Sequence, residues 1–162
     1  MFDGAHIHLL LNHVPILGPV FIIPLLVAGI IRKNRSLTVA ALLFTVGVAL
    51  TTIPAFLTGE EAEEAVEGRP GITEVSIEEH EEGAEIAYYA MLMSGAVALG
   101  AWLSARGNRQ VSAPLGWITF AMLAVTFVLM ARTGNSGGKI RHTELGAVTS
   151  AAPAGGGEHD DD

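Results

Sequence analysis

Four blocks of apolar residues, none with a charge in its interior, dominate this sequence. They cover about residues 7–31, 37–57, 86–105 and 114–131. Roughly 20 apolar helical residues are needed to cross the hydrocarbon core of a bilayer, and each block is close to that length. A helix on the surface of a soluble domain would show a polar face at 3.6-residue spacing, and these blocks show none. A buried core would need amphipathic partner helices that the chain lacks. The reading is therefore all-α: an integral membrane four-helix bundle, with residues 1–145 as its transmembrane domain. Half of the residues are apolar, yet the net charge is −8. The two facts are compatible because the charges lie between the blocks.

The connections give the direction. Arg32, Lys33 and Arg35 lie between the first two blocks, and Arg106 and Arg109 between the last two, with no Asp or Glu in either connection. The positive-inside rule puts both on the cytoplasmic side. Both termini are then expected on the non-cytoplasmic side, together with every acidic residue. Met1-Phe2-Asp3 lacks the basic start of a cleavable signal peptide, so the first block is expected to be retained. Short inner connections imply two antiparallel helical hairpins.

The outer segments differ in character. The loop 59–85 holds eleven glutamates. Glu60 to Glu67 reads as a helical extension of the second span that stops at Gly68, and Arg69-Pro70-Gly71 as a turn. Ser76-Ile77-Glu78-Glu79 matches a capping box that starts the next helix. Residues 134–138 read as a glycine-rich turn, and 146–162 as a disordered acidic tail. Pro15, Pro19 and Pro24 interrupt the first span and Pro54 the second. Neighbouring helices in lipid can re-satisfy the carbonyls that proline frees.

Cysteine is absent, which excludes disulfides, thiolate metal sites and covalent c-type haem. No Walker loop, Gly-x-Ser-x-Gly or zincin motif is present, and no nucleic-acid partner is expected. The six histidines, His6, His8, His13, His80, His142 and His159, all fall on the outer side or in the outer half of the spans. His13 lies within the first span, where an ionisable group is expensive and marks a functional-site hypothesis. His80 precedes the third span, and Gly83, Ala84 and Ala87 follow on its helical face. His142 follows the fourth span. Facing helices in a bundle assemble cofactor sites, and imidazole suits haem iron, copper or zinc. His8 and His13 stand about 140° apart around a helix turning 100° per residue, so both cannot ligate one iron.

The pattern His8-x4-His13-x-Pro15-Ile16, Leu57-Thr58-Gly59, Ile77-Glu78-Glu79-His80-Glu81 and Gly137-Gly138-x3-His142 resembles a family of bacterial four-span membrane proteins. The resemblance covers the chain to about Leu145. It implies that His8, His13, His80 and His142 form one set, that haem is bound, and that the protein works near redox systems in the bacterial inner (cytoplasmic) membrane. In this chain Gly68-Arg69-Pro70-Gly71 stands where a further loop histidine is expected.

The functional expectation is a membrane-bound, b-type cytochrome-like electron-transfer protein, a subunit rather than a stand-alone enzyme. It would hold one or two haem b groups near the periplasmic face by bis-histidine ligation. His13 and His80 are the first axial pair, with His8 and His142 as a second. Asn12 could orient a ligand imidazole, while Arg132 and Arg141, with Lys139, could pair haem propionates. Met91 and Met93 read as core filler. The acidic face suits a basic soluble electron carrier; a larger membrane redox complex is the other expected partner, beside the lipid bilayer. The alternatives are a copper or zinc site on the same histidines, or a structural subunit of a redox complex.

Overall fold

A computed structural model describes residues 4–69, 72–107 and 109–141. Its elements are α1 (Gly4–Leu11), α2 (His13–Ile31), α3 (Arg35–Leu57), α4 (Gly59–Glu64), α5 (Glu74–Ser104) and α6 (Ala113–Arg141), with no strand among the described residues. Four helices are long and apolar enough to cross a membrane: Gly4–Ile31, in which α1 and α2 run on as one, Arg35–Leu57, Glu74–Ser104 and Ala113–Ile140. Helix α3 packs between α2 and α5, and α6 closes the ring between α5 and α2. The short acidic helix α4 lies against α1.

The packing has the inverted character expected in lipid. Large apolar side chains point outward, as in Phe21 at 72% exposure and Phe44 at 60%. The interior holds Leu26, Leu42, Met91 and Leu123 among small and hydroxylated residues. In a bilayer apolar burial no longer drives helices together, so close approach and interhelical hydrogen bonds matter more. A Cβ at Gly95 would overlap the Ala49 methyl group, so α3 and α5 touch there through their smallest side chains. The adjacent residue, Ser94, shares a buried hydrogen bond of 2.9 Å with Thr126 of α6. Thr45 and Thr52 satisfy their hydroxyls on the carbonyls of Ala41 and Val48, four residues back.

The basic connections meet at one end. Arg35 donates to the carbonyls of Ala105, Gly107 and Arg109 and so ties the start of α3 to the end of α5. The acidic residues of α4 and of the start of α5 lie at the opposite end. Residues 74–85, with six glutamates, precede the apolar part of α5, so its first turns project beyond the hydrocarbon.

Three boundaries depart from the sequence reading. First, the capping box is Thr73 with Ser76: each side chain accepts from the other's backbone N–H at 3.2 Å. Helix α5 therefore starts before Ser76, which sits at its third position instead of capping it. Second, the extension of α3 is a separate helix that breaks at Thr58 and ends at Glu64, before Gly68, which adopts φ +71°. Third, residues 134–138 are helical, not a turn. Their glycines accept neighbours: a Cβ at Gly134 would lie 2.7 Å from the Ile16 side chain and one at Gly137 2.8 Å from His80. The cost of glycine in a helix is offset by this close approach. The turn expected at Arg69-Pro70-Gly71, His142, His159 and the tail from 146 lie partly or wholly outside the described residues.

Candidate histidine site at the acidic end

His8 is held by the end of α3. The last four carbonyls of a helix lack intrahelical partners, and Ala55 is among the last four residues of α3. His8 Nδ1 lies 2.8 Å from the Ala55 carbonyl oxygen. A carbonyl only accepts, so Nδ1 carries the proton and donates it. Nε2 is then the basic nitrogen of the neutral ring.

His80 is held by α6 in the same sense. Its Nδ1 lies 2.9 Å from Ser136 Oγ, and the Ser136 hydroxyl donates to the Thr133 carbonyl at 2.9 Å. Serine has one hydroxyl proton, so Ser136 accepts from His80 Nδ1–H. Again Nε2 is left as the basic nitrogen. The ring lies directly against Gly137, and Gly83 of α5 faces the Thr133 hydroxyl across the same helix contact, so that a Cβ there would lie at 3.4 Å.

The two imidazoles belong to one electrostatic neighbourhood. The pKa of His80, on the projecting part of α5, is lowered, first by burial and then by the positive charge His8 would carry; the hydrogen bond at Thr133 and the Glu81 carboxylate oppose this. Neutral His80, the form that ligates metal, is therefore favoured. Around the pair stands an acidic rim. Glu61 accepts the Gly4 backbone N–H at 2.7 Å and docks α4 onto the start of α1. The Glu63 carboxyl is raised, first by desolvation and then by Glu81, Glu67, Glu60 and Glu64.

His8 is the histidine whose charge bears on His80. His13 is exposed, and its Nδ1 lies 3.2 Å from the Leu9 carbonyl of its own helix turn. The angle of about 140° between positions 8 and 13 turns one ring inward and the other outward. Asn12 Oδ1 is buried without a hydrogen-bond partner among the described residues. Arg132 is exposed on α6, and Arg141 is the last residue of that helix. His142 lies outside the described residues. Met91 is core, as expected, but Met93 is 57% exposed and faces outward.

Sequence reasoning missed Ala55, Ser136 and Glu61. Ser136 had a usable signal: it stands beside Gly137, the small residue against which an aromatic ring can lie. Nothing in the sequence marks a single backbone carbonyl such as that of Ala55. The molecule is, in class, an all-helical bundle with four helices long and apolar enough to cross a membrane, and His8 and His80 are each held through Nδ1 at its acidic end. Its chain matches no family model, no curated protein and no solved structure.

Proposed function

We propose that this protein is a membrane-bound, b-type cytochrome-like electron-transfer subunit that holds haem b through His8 and His80. The observation that carries the reading is the common state of the two rings. Both are pinned through Nδ1–H to acceptors, which fixes tautomer and orientation and leaves Nε2 for a metal, as outer-shell partners of metal-ligating histidines do. The number of ligands favours haem over copper or zinc. Among the described residues no group of three His, Cys, Asp or Glu could hold a metal ion. Structural zinc takes four protein ligands and catalytic zinc three, whereas a porphyrin supplies four nitrogens itself and asks two of the protein.

When bound, haem would supply one-electron chemistry; this chain would bind and orient it and limit water access. Arg132, Lys139 and Arg141, in the last turns of α6, are the residues proposed to pair haem propionates. The acidic rim would attract a basic electron carrier, with an on-rate that falls as salt rises. The positive-inside rule, applied to the basic connections at the other end, supports a reading in which this end is periplasmic in a bacterial inner membrane.

The test is an absorption spectrum and pyridine haemochrome assay on protein purified from haem-replete cells. A Soret band with split α and β bands on reduction is expected, at one haem per chain or two if His142 completes a second centre. A colourless, iron-free preparation would refute the reading, and copper or zinc found in its place by metal analysis would reassign the pair.

A further inference from the structure

At the opposite, basic end lies a cavity of about 300 Å³. Gly29, Ile30 and Lys33 at the end of α2 line it, with Gln110 and Ser112 before α6 and Gly116 in its first turns. Its lining is largely apolar, with Lys33, Thr38, Gln110 and Ser112 as its polar residues. We propose that this cavity receives the phosphate headgroup of an anionic phospholipid, with the Lys33 ammonium as its counter-ion.

Three observations carry this. The first is charge. Arg32, Lys33, Arg35, Arg106 and Arg109 share this end, and no Asp or Glu occurs in residues 4–59 or 86–141. No carboxylate of the described bundle can neutralise them here. Arg35 is committed to three backbone carbonyls, and Arg106 lies over the Trp102 ring at 5.1 Å. Lys33 is the cation that lines the cavity.

The second is the backbone at Lys33. Helix α2 ends in a Schellman turn: Asn34 N–H donates to Gly29 O at 2.9 Å and Lys33 N–H to Ile30 O at 3.1 Å. Lys33 occupies the left-handed position of that turn, with φ 50°, where glycine is the usual residue. The turn itself does not call for a lysine, and its side chain lines the cavity.

The third is position. Ile31 and Trp117, at 67% and 43% exposure, flank this end of the bundle with outward apolar surface. A ligand here must combine an anionic head with an apolar body, and basic pockets between spanning helices at a membrane surface bind such lipids. The inference is independent of the histidine site.

The full-length protein would be placed in nanodiscs of equal phosphatidylglycerol and phosphatidylcholine, and the lipid it retains counted by native mass spectrometry. Preferential retention of phosphatidylglycerol is expected. Lys33→Gly, which suits the backbone and should leave the melting temperature intact, should cut that retention by well over about fivefold, more than the effect of one basic residue near an anionic surface. Arg32→Gln removes the same charge one residue away, outside the cavity, and should cost no more than that generic effect of about fivefold. Equal losses in both variants would replace the site with diffuse attraction and overturn the proposal. So would an absence of lipid preference. Displacement of the lipid by millimolar inorganic phosphate would assign the cavity to a free anion instead and overturn it as well.

Discussion

The Ser136 hydroxyl accepts from His80 Nδ1 at 2.9 Å because its own proton is directed to the Thr133 carbonyl. That relay fixes which nitrogen of His80 is basic. Ser136→Ala removes the acceptor without disturbing the packing against Gly137. If His80 ligates haem, the variant should bind it about 10- to 100-fold more weakly, the usual cost of losing a partner of a metal-ligating histidine. Haem titration into the apo-protein, followed at the Soret band, measures this. An unchanged affinity would show that Ser136 has no part in holding a ligand.

The two histidines of the first span should behave differently. His8→Ala removes an inward ring and should abolish most haem binding. His13→Ala removes an exposed ring bonded within its own helix and should change haem content by less than about twofold, as exposed substitutions generally do. Haem-to-protein ratios of the two purified variants decide between this pairing and the one the sequence favoured. Loss of haem in His13→Ala with retention in His8→Ala would restore the His13–His80 pair.

The four long apolar helices were legible because they rest on composition alone: an uncharged run near 20 residues long suits a membrane span better than a soluble fold. Among the described residues, the position of His8 and His80 at the acidic end was legible for the same reason, since it follows from chain order along the helices. The ligand pair was less so. His13 drew attention by its depth in the first span, but depth says nothing about direction around the helix. The argument that His8 and His13 face apart was available from spacing; which of them faces inward depends on where the Ala55 carbonyl ends α3. Residues 134–138 were misread because glycine is ambiguous in sequence. It can open a turn or admit a neighbour, and Ile16 and His80 are the neighbours here.

Two adjacent glycines separate those meanings. A Cβ at Gly137 would lie 2.8 Å from His80 Cε1, whereas one at Gly138 meets nothing within 4 Å. Gly137→Ala must push the ring or the helix aside and should destabilise by roughly 1–3 kcal/mol, the range for overpacking. Gly138→Ala lies in an exposed helical stretch and should stabilise by roughly 0.5–1 kcal/mol from helix propensity. Thermal melts in one detergent compare them. A loss of stability in both variants would favour the turn over the helix.

The lowered pKa of His80 makes a signed prediction for pH. Its reference value is 6.5 and burial beside His8 lowers it in the folded protein. Between the lowered value and 6.5 the unfolded chain binds more protons than the folded one, so stability rises with pH across that window. The contribution is fully present above 6.5, declines as pH falls below it, and levels off once the folded group has also titrated. Glu63 has the opposite sign: its carboxyl is raised above 4.5 by burial and by neighbouring glutamates, so acidification stabilises the fold across a window that opens just above 4.5. The two effects are separated by variants. Melting temperature against pH should slope downward on acidification just below 6.5 in the parent protein, and His80→Gln should flatten that region while leaving the lower one unchanged. Glu63→Gln should do the reverse. A parent slope that survives in His80→Gln would place the titrating group elsewhere.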